Sequence, residues 1–252
     1  KPQEESLQAL AKAIEAAPDL LSSTQDIEAL LKALTAEFPT LSDFERDFPS
    51  LCFALATGVG KTRLMGAFIS YLHLAQGIKN FFVLAPNLTI YNKLIADFTP
   101  NNPKYVFTGI AEFSAYPPEI ITGDNYEQRG PNLGMLSPVT INIFNISKIV
   151  SEVRGGKAPR IKRLTEVLGD SYFNHLSSLD DLVLLMDESH RYRANAGMRA
   201  INELRPRLGL ELTATPFTES KRGPVSFKNV VVDYPLACAM DDGFVKEQIG
   251  RA

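Results

Sequence analysis

The stretch 51-LCFALATGVGKT-62 decides the fold of this chain. Residues Ser50–Thr57 are apolar almost throughout, which is typical of a strand buried on both faces, and Lys61–Gln76 has the composition of a helix. The loop between them contains Gly58 and Gly60. Glycine lets the backbone approach an anion closely, and the amides at the start of the next helix point at that anion. The stretch therefore predicts a strand, a phosphate-binding loop and a helix of an α/β domain.

Two residues at the end of this loop predict the bound molecule. Lys61 is placed to reach the β- and γ-phosphates of a nucleotide, and the Thr62 hydroxyl is placed to bind Mg²⁺. The loop departs from the strict pattern G-x-x-x-x-G-K-[ST] because Leu55 occupies the position of the first glycine. An ordinary glycine-rich turn is the alternative interpretation. We predict ATP and Mg²⁺ as cofactors, bound by Thr57, Gly58, Val59, Gly60, Lys61 and Thr62.

A second signal, 184-LLMDESH-190, places two carboxylates directly after a buried apolar strand. Ligands of open α/β sheets bind at the carboxyl ends of the strands, so we expect these side chains beside the phosphate-binding loop. Asp187 is predicted to hold Mg²⁺, and Glu188 to orient and deprotonate the attacking water. A solvated acidic turn is the alternative for this motif taken alone. The predicted catalytic residues are Lys61, Asp187 and Glu188.

A third segment, 210-LELTATPF-217, follows one predicted helix later. The three segments together resemble motifs I, II and III of superfamily 2 helicases, which also use the shortened phosphate-binding loop with Thr-Gly before the second glycine. In that family the Thr-Ala-Thr segment joins ATP hydrolysis to movement on nucleic acid. The resemblance therefore implies that Thr213 and Thr215 are coupling residues. The spacing of His190 from Asp187 favours a link between the nucleotide site and this segment, with an ordinary surface histidine as the alternative.

The resemblance extends to segments that face nucleic acid in such motors. The stretch 83-VLAPN-87 resembles motif Ia, and 142-NIFNIS-147 resembles the strand and loop of the next DNA-facing motif. It implies that Pro86, Asn87 and Asn145 contact DNA. Loops that only close the edge of the sheet are an equally good interpretation of these residues.

Two flanking stretches narrow the resemblance to the Res subunits of type III restriction enzymes. They are 105-YVFTGIAEFSAYPPEIITGDNY-126 and the tail Tyr234–Lys246. This resemblance implies an ATP-driven motor on double-stranded DNA, a methylation and recognition subunit as partner, and an endonuclease outside this sequence. The nuclease signature of full-length Res subunits is absent here, and no glutamine motif is recognised upstream of the phosphate-binding loop. Because the arginine finger belongs to a second motor domain, we expect the isolated chain to bind nucleotide weakly and to hydrolyse it slowly or not at all.

The remaining pattern predicts an α/β, RecA-like P-loop NTPase domain, with a mostly parallel sheet covered by helices on both faces. We divide the chain into an N-terminal helical extension (1–48), the RecA-like ATP-binding domain (49–228) and a linker toward a second RecA-like domain (229–252). The further predicted strands are Asn80–Pro86, Lys104–Ile110, Val139–Ile146, Leu182–Asp187, Gly209–Thr213 and Val230–Tyr234. The further predicted helices are Ser6–Ala17, Ser23–Phe38, Leu88–Phe98, Ile161–Leu168 and Asn195–Leu204, and residues 111–137 are predicted to form a loop.

Composition excludes several classes of protein. The 252 residues are 45% hydrophobic and 22% charged, with a formal net charge of −3, so no bulk positive field draws nucleic acid. No apolar run reaches the length of a membrane span, and no signal-peptide pattern is present. Cys52 and Cys238 are predicted to be buried thiols, and the basic loop Arg154–Arg163 a solvated surface. We expect a cytoplasmic protein that is part of a longer chain.

Three functional hypotheses follow from these motifs. The first is the DNA helicase or translocase described above, with a repair or defence helicase without nuclease as a variant. The second is a P-loop nucleotide switch acting on a small molecule or a partner, which leaves the Thr-Ala-Thr-Pro segment unexplained. The third is a docking module that retains the fold without catalysis, which the complete set of Lys61, Thr62, Asp187 and Glu188 disfavours.

Overall fold

A computed structural model describes residues 2–126, 139–145, 170–193, 201–220 and 223–245. The helices are α1 (Pro2–Ala16), α2 (Ile27–Glu37), α3 (Lys61–Gln76), α4 (Leu88–Phe98), α5 (Ala111–Ala115), α6 (Asp170–Ser177) and α7 (Leu236–Asp241). The strands are β1 (Ser50–Leu55), β2 (Asn80–Ala85), β3 (Glu119–Thr122), β4 (Thr140–Asn145), β5 (Leu182–Asp187), β6 (Leu208–Thr213), β7 (Phe217–Ser220), β8 (Gly223–Ser226) and β9 (Val230–Tyr234). Short 3₁₀ turns lie at Pro18–Leu21 and Ser189–Tyr192.

Seven of these strands form one parallel sheet in the order β3-β4-β2-β5-β6-β1-β9. Strand β6 therefore lies between β1 and β5, although it comes last of the three in the chain. The remaining strands, β7 and β8, pair as an antiparallel hairpin directly after β6. This arrangement confirms the predicted α/β class and its parallel sheet.

Both faces of the sheet are covered, as the continuous apolar strands predict. Phe81 and Val83 of β2 pack in a core with helices α1 to α4, whereas Phe82 and Leu84 pack in a second core on the other face with Phe173 of α6. Successive residues of a strand point to opposite faces, so each buried strand has to be apolar at every position. Among the described residues, none of the helices combines the length and the apolar composition that a membrane crossing requires.

The two N-terminal helices are part of the main core. Leu10 and Ala13 of α1 and Leu34 of α2 are fully buried and belong to the same cluster as β1 and α3. Asp26 caps α2 and accepts a hydrogen bond from the amide of Ala29 over 3.1 Å. Residues predicted to form an extension thus cover one face of the sheet.

The predicted strand at Lys104–Ile110 is wrong, because these residues form turns. Val106 packs against Gly66 of α3, and Phe107 contacts the rings of Phe98 and Phe113. These apolar residues are therefore anchors of a loop rather than members of a strand. The edge strand β3 lies instead at Glu119–Thr122, inside the segment predicted to be a loop.

Other predictions have mixed outcomes. The helix predicted at Ile161–Leu168, the basic loop Arg154–Arg163 and most of the helix at Asn195–Leu204 lie outside the described residues. Cys52 is buried as predicted, but Cys238 is exposed, because it lies on the outer side of the short helix α7. Strand β9 pairs with β1, so the sheet extends past the boundary that we set at residue 228.

A buried carboxylate ties β6 to four neighbouring segments. Glu211 of β6 accepts hydrogen bonds from Arg46 Nε (3.1 Å), Ser50 Oγ (2.7 Å), Asn229 Nδ2 (3.1 Å) and Arg193 Nη2 (2.7 Å). Burial by itself raises the pKa of Glu211, but the guanidinium groups of Arg46 and Arg193 outweigh burial and lower that pKa to about 2. The segment before β1, the start of β1, the turn after β5 and the segment before β9 are thereby joined.

Replacing this carboxylate tests how much the network stabilises the fold. Glu211→Gln removes the counter-charge of buried Arg46 and one of the two carboxylates that pair with Arg193, the other being Glu45. We therefore expect the free energy of unfolding at pH 7 to fall by about 3–5 kcal/mol. The lowered pKa also means that ionised Glu211 stabilises the fold above its ordinary pKa, and that this contribution is lost as the pH falls toward 2. Urea unfolding followed by circular dichroism measures both effects. A Glu211→Gln variant as stable as the exposed control Glu15→Gln would contradict this account.

Candidate functional site

The predicted site residues meet at one edge of the sheet. The last residues of five neighbouring strands, in spatial order, are Asn145, Ala85, Asp187, Thr213 and Leu55. Neighbouring strands lie about 4.8 Å apart, so the loops that follow β5, β6 and β1 are close together. We call Thr57–Thr62 motif I, Asp187–His190 motif II, Thr213–Thr215 motif III and Val83–Asn87 motif Ia.

Motif I forms a tight loop between β1 and α3. Gly58 and Gly60 have φ angles of +86° and +90°, in the left-handed region that disfavours side chains. Gly60 is the N-cap of α3, so the helix begins at Lys61 with its free amides beside the loop. Val59 is buried and anchors the loop to the core, while Thr57 is exposed. This geometry fits a cradle for an anion at a helix N-terminus.

Motif II meets motif I through a charged contact. Lys61 Nζ lies 3.3 Å from Glu188 Oε1, and it also donates a hydrogen bond to the carbonyl of Leu55 over 3.4 Å. Glu188 has a φ of +51°, which is rare for a residue with a side chain and directs the chain into the following 3₁₀ turn. The backbone strain at Glu188 is of the kind found at functional sites. The structure therefore brings together Lys61 and the acidic pair, which are more than a hundred residues apart in the chain.

The environment of Asp187 favours a cation. This side chain is 7% exposed, and burial raises the pKa of Asp187 to about 6, with a further increase from the charge of Glu188 and opposing effects from Lys61 and Lys93. A carboxylate that is costly to ionise alone is stabilised by a positive charge placed beside it. Ionised Asp187 is therefore suited to bind a metal ion.

Motifs I and II line one cavity of about 420 Å³, a size typical of ligand sites. Thr62 and Asp187 both border it, and oxygen donors of these types are what Mg²⁺ prefers alongside nucleotide phosphates. The residues thus fit a Mg²⁺-bound nucleotide. The cavity continues past Thr62 to Lys93 of α4, a residue that no sequence motif had marked.

Motif III is joined to motif II by His190. Its Nδ1 lies 3.0 Å from Thr213 Oγ1 and 3.5 Å from Glu188 Oε2. Burial lowers the pKa of His190 despite the opposing charge of Glu188, so the neutral imidazole dominates at pH 7. Thr213 Oγ1 in turn accepts a hydrogen bond from the amide of Thr215 over 3.1 Å. A continuous chain of contacts runs from Lys61 through motif II to motif III.

Three further residues at this edge were not predicted. Gln3 of α1 donates a hydrogen bond from Nε2 to the carbonyl of Val59, so a glutamine upstream of motif I does reach the phosphate-binding loop. Tyr192 donates a hydrogen bond to the carbonyl of Leu84 over 3.1 Å, which fixes the turn after motif II to motif Ia at the end of β2. Arg193 joins the same turn to the Glu211 network. No local sequence pattern marks these contacts, because each joins segments that are distant in the chain.

Comparison with known families places this geometry in context. The family model for the type III restriction enzyme, res subunit (ResIII), matches residues 1–218. The chain belongs to this Res-subunit family. The match begins at residue 1 and so includes helices α1 and α2, whereas the segments that carry the resemblance in the sequence begin at Leu51.

The Res-family chain also resembles a solved structure. That structure is a nuclease-deletion mutant of the Type ISP restriction-modification enzyme LlaGI in complex with a DNA substrate mimic. The two chains are 14% identical with a TM-score of 0.49, and the match covers 88% of this chain and 20% of that one. The chain therefore spans a fifth of the length of that enzyme. A search of curated proteins finds no match to this sequence.

The residues implied to contact DNA occupy less accessible positions than expected for this Res-family domain. Pro86 and Asn145 are buried. Asn87 is the N-cap of α4, and its Oδ1 accepts a hydrogen bond from the amide of Ile90 over 2.9 Å. The exposed groups nearby belong to the first turn of α4, which begins at Leu88.

Alanine substitutions of the two glycines that flank α3 test whether the phosphate-binding loop binds ATP. Gly60→Ala forces a left-handed φ on alanine and brings its Cβ to 2.9 Å from Gln3 Nε2, whereas Gly77→Ala has the same kind of strain, at φ +73°, in open space. We expect each variant to lose about 1–2 kcal/mol of unfolding free energy. Only Gly60→Ala should weaken ATP binding, by at least about tenfold. Calorimetric titration measures this difference, and equal ATP affinity in both variants would argue against the loop as the binding site.

Proposed function

We propose that this chain binds and hydrolyses ATP·Mg²⁺ to drive movement on double-stranded DNA, as the first motor domain of a type III restriction-like system. The observation that carries this proposal is the contact between Lys61 of motif I and Glu188 of motif II, beside a cavity bordered by Thr62 and Asp187. This is the set of groups that phosphoryl transfer uses, because that reaction depends on positioning and on neutralising charge.

Each residue of the site has a specific role in this proposal. The backbone of Gly58–Lys61 and the start of α3 bind the phosphates, with the Lys61 ammonium on the β- and γ-phosphates. Thr62 and Asp187 hold Mg²⁺, which supplies charge neutralisation at the transferring phosphoryl group when it is bound. Glu188 orients a water and accepts its proton.

Coupling to DNA is proposed to follow the contacts from Glu188 through His190 to Thr213. The same 3₁₀ turn also contacts Leu84 of motif Ia, near the end of β2, through Tyr192. The amides at the start of α4 are proposed to contact the phosphate backbone rather than the bases, since helix N-termini favour anions. Pro86, Asn87 and Asn145 would then position this surface, and their side chains need not bind DNA themselves.

The partner proposed for the full system is a methylation and recognition subunit. The alternatives remain a P-loop nucleotide switch and a repair or defence helicase without nuclease. Stimulation of ATP hydrolysis by DNA separates a motor from a switch. Cleavage of DNA by the full-length protein separates a restriction system from a helicase that lacks a nuclease.

Substitutions of the two charged residues at the contact between motifs I and II are expected to affect different steps. Lys61→Ala removes a charged phosphate contact, so nucleotide affinity should fall about 10–100-fold. Glu188→Gln keeps the shape of the side chain but cannot accept the proton, so ATP binding should persist while hydrolysis by the full-length protein falls about 10²–10⁴-fold. Glu15→Gln on the exposed face of α1 is the control. Equal ATPase rates in wild type and Glu188→Gln would remove Glu188 from the role of base.

His190 offers a separate test of coupling. His190→Ala breaks the 3.0 Å contact with Thr213 and leaves Lys61, Thr62 and Asp187 in place. We expect basal ATP hydrolysis within about threefold of wild type and loss of most of its stimulation by DNA, because the energetic coupling between sites is typically 1–3 kcal/mol. ATPase rates of the full-length protein with and without linear duplex DNA measure this. Full stimulation by DNA in His190→Ala would show that coupling takes another route.

A further inference from the structure

Lys93 lies in the cavity of motifs I and II without a role in any motif. It is an exposed residue of α4, and its Nζ donates a hydrogen bond to Thr62 Oγ1 over 3.4 Å. Thr62 directly follows Lys61, so the ammonium of Lys93 reaches the part of the loop where the end of a bound triphosphate is expected. Helix α4 thus places a second lysine beside motif I, at the start of α3.

The charges around the two lysines differ. The ammonium of Lys61 is paired with Glu188 at 3.3 Å, whereas Lys93 has no ion pair with a carboxylate in the described part of the chain. Because Lys93 approaches a hydroxyl rather than a carboxylate, none of the described residues forms a direct ion pair with it, and Asp187 interacts with its charge only at longer range. A lysine in this situation is suited to bind an anion as a point charge.

We propose that Lys93 is a second phosphate-binding cation, which contacts the terminal phosphate of bound ATP from α4 while Lys61 binds from α3. This inference rests on the proposed function, since it requires ATP on motif I. The terminal phosphate is present in ATP and absent from ADP, so Lys93 makes the site selective for ATP. Lys61, which also reaches the β-phosphate, binds both nucleotides.

The position of Lys93 also gives the contact a mechanical consequence. Lys93 lies six residues after Asn87, the N-cap of α4, at a rise of about 1.5 Å per residue. The helix therefore connects the terminal phosphate to motif Ia over about 9 Å of rigid backbone. Loss of that phosphate on hydrolysis removes the Lys93–phosphate contact, and the DNA-facing start of the helix thereby senses the state of the nucleotide.

Titration of ATP and of ADP into wild type, Lys93→Ala and Lys93→Arg, each with Mg²⁺ and with a chelator, tests this assignment. We expect Lys93→Ala to weaken ATP binding about tenfold and ADP binding less than twofold, and Lys93→Arg to retain most of the preference for ATP. Lys104→Ala is the matched control, because Lys104 borders the same cavity but does not contact Thr62. It should change both affinities less than twofold.

Several outcomes would overturn the assignment of Lys93. An equal loss of ATP and ADP affinity in Lys93→Ala would show a general electrostatic effect, and an unchanged ATP affinity would show no contact. Tighter binding of the Mg²⁺ nucleotide in Lys93→Ala would show that Lys93 competes with the metal instead. Failure of the wild type to bind ATP would overturn the proposed function as well, and this result is distinct from the other three.

Discussion

Strands β1, β6 and β5 run in the same direction as neighbours in one sheet, so the loops that follow them open at one edge. This constraint places Lys61 within 3.3 Å of Glu188, although the two residues are far apart in the chain. It also places motif III between the other two motifs, because β6 is the middle strand. A parallel sheet can achieve this only when its strands are buried on both faces, which explains their continuous apolar composition.

The turn after β5 connects the nucleotide site to the rest of the domain. Within it His190 contacts Thr213, Tyr192 contacts the end of β2, and Arg193 pairs with Glu211. The contacts of His190 and Tyr192 lie near the functional edge, whereas the Arg193 pair is buried with both side chains almost inaccessible. A buried pair of this kind holds its partners in one arrangement, because leaving either charge alone is costly. The turn is therefore fixed at Arg193, and its first residues are placed to transmit changes at the nucleotide site to motif III.

Much of the fold and of the candidate site could be predicted from the sequence, because those parts depend on local patterns. Gly60 and Gly77 mark the two ends of α3. The apolar run Leu182–Asp187 predicts β5 with the bounds that the structure shows. The features that were predicted wrongly or missed depend on contacts between distant segments. Lys104–Ile110 has the apolar residues of a strand but packs as a loop against α3. Gln3 lies 56 positions from the carbonyl that it contacts, and nothing in the neighbourhood of Lys93 marks it as part of the site.

The central proposal is that motifs I and II form one site for ATP and Mg²⁺, joined to motif III through His190. A crystal structure of the chain with a non-hydrolysable ATP analogue and Mn²⁺ in place of Mg²⁺ tests it most directly, because the anomalous signal locates the metal. The account predicts a single metal peak between Thr62 Oγ1 and the carboxylate of Asp187, with the terminal phosphate on Lys61. A nucleotide bound away from Gly58–Thr62, or a metal that does not contact Asp187, would contradict it.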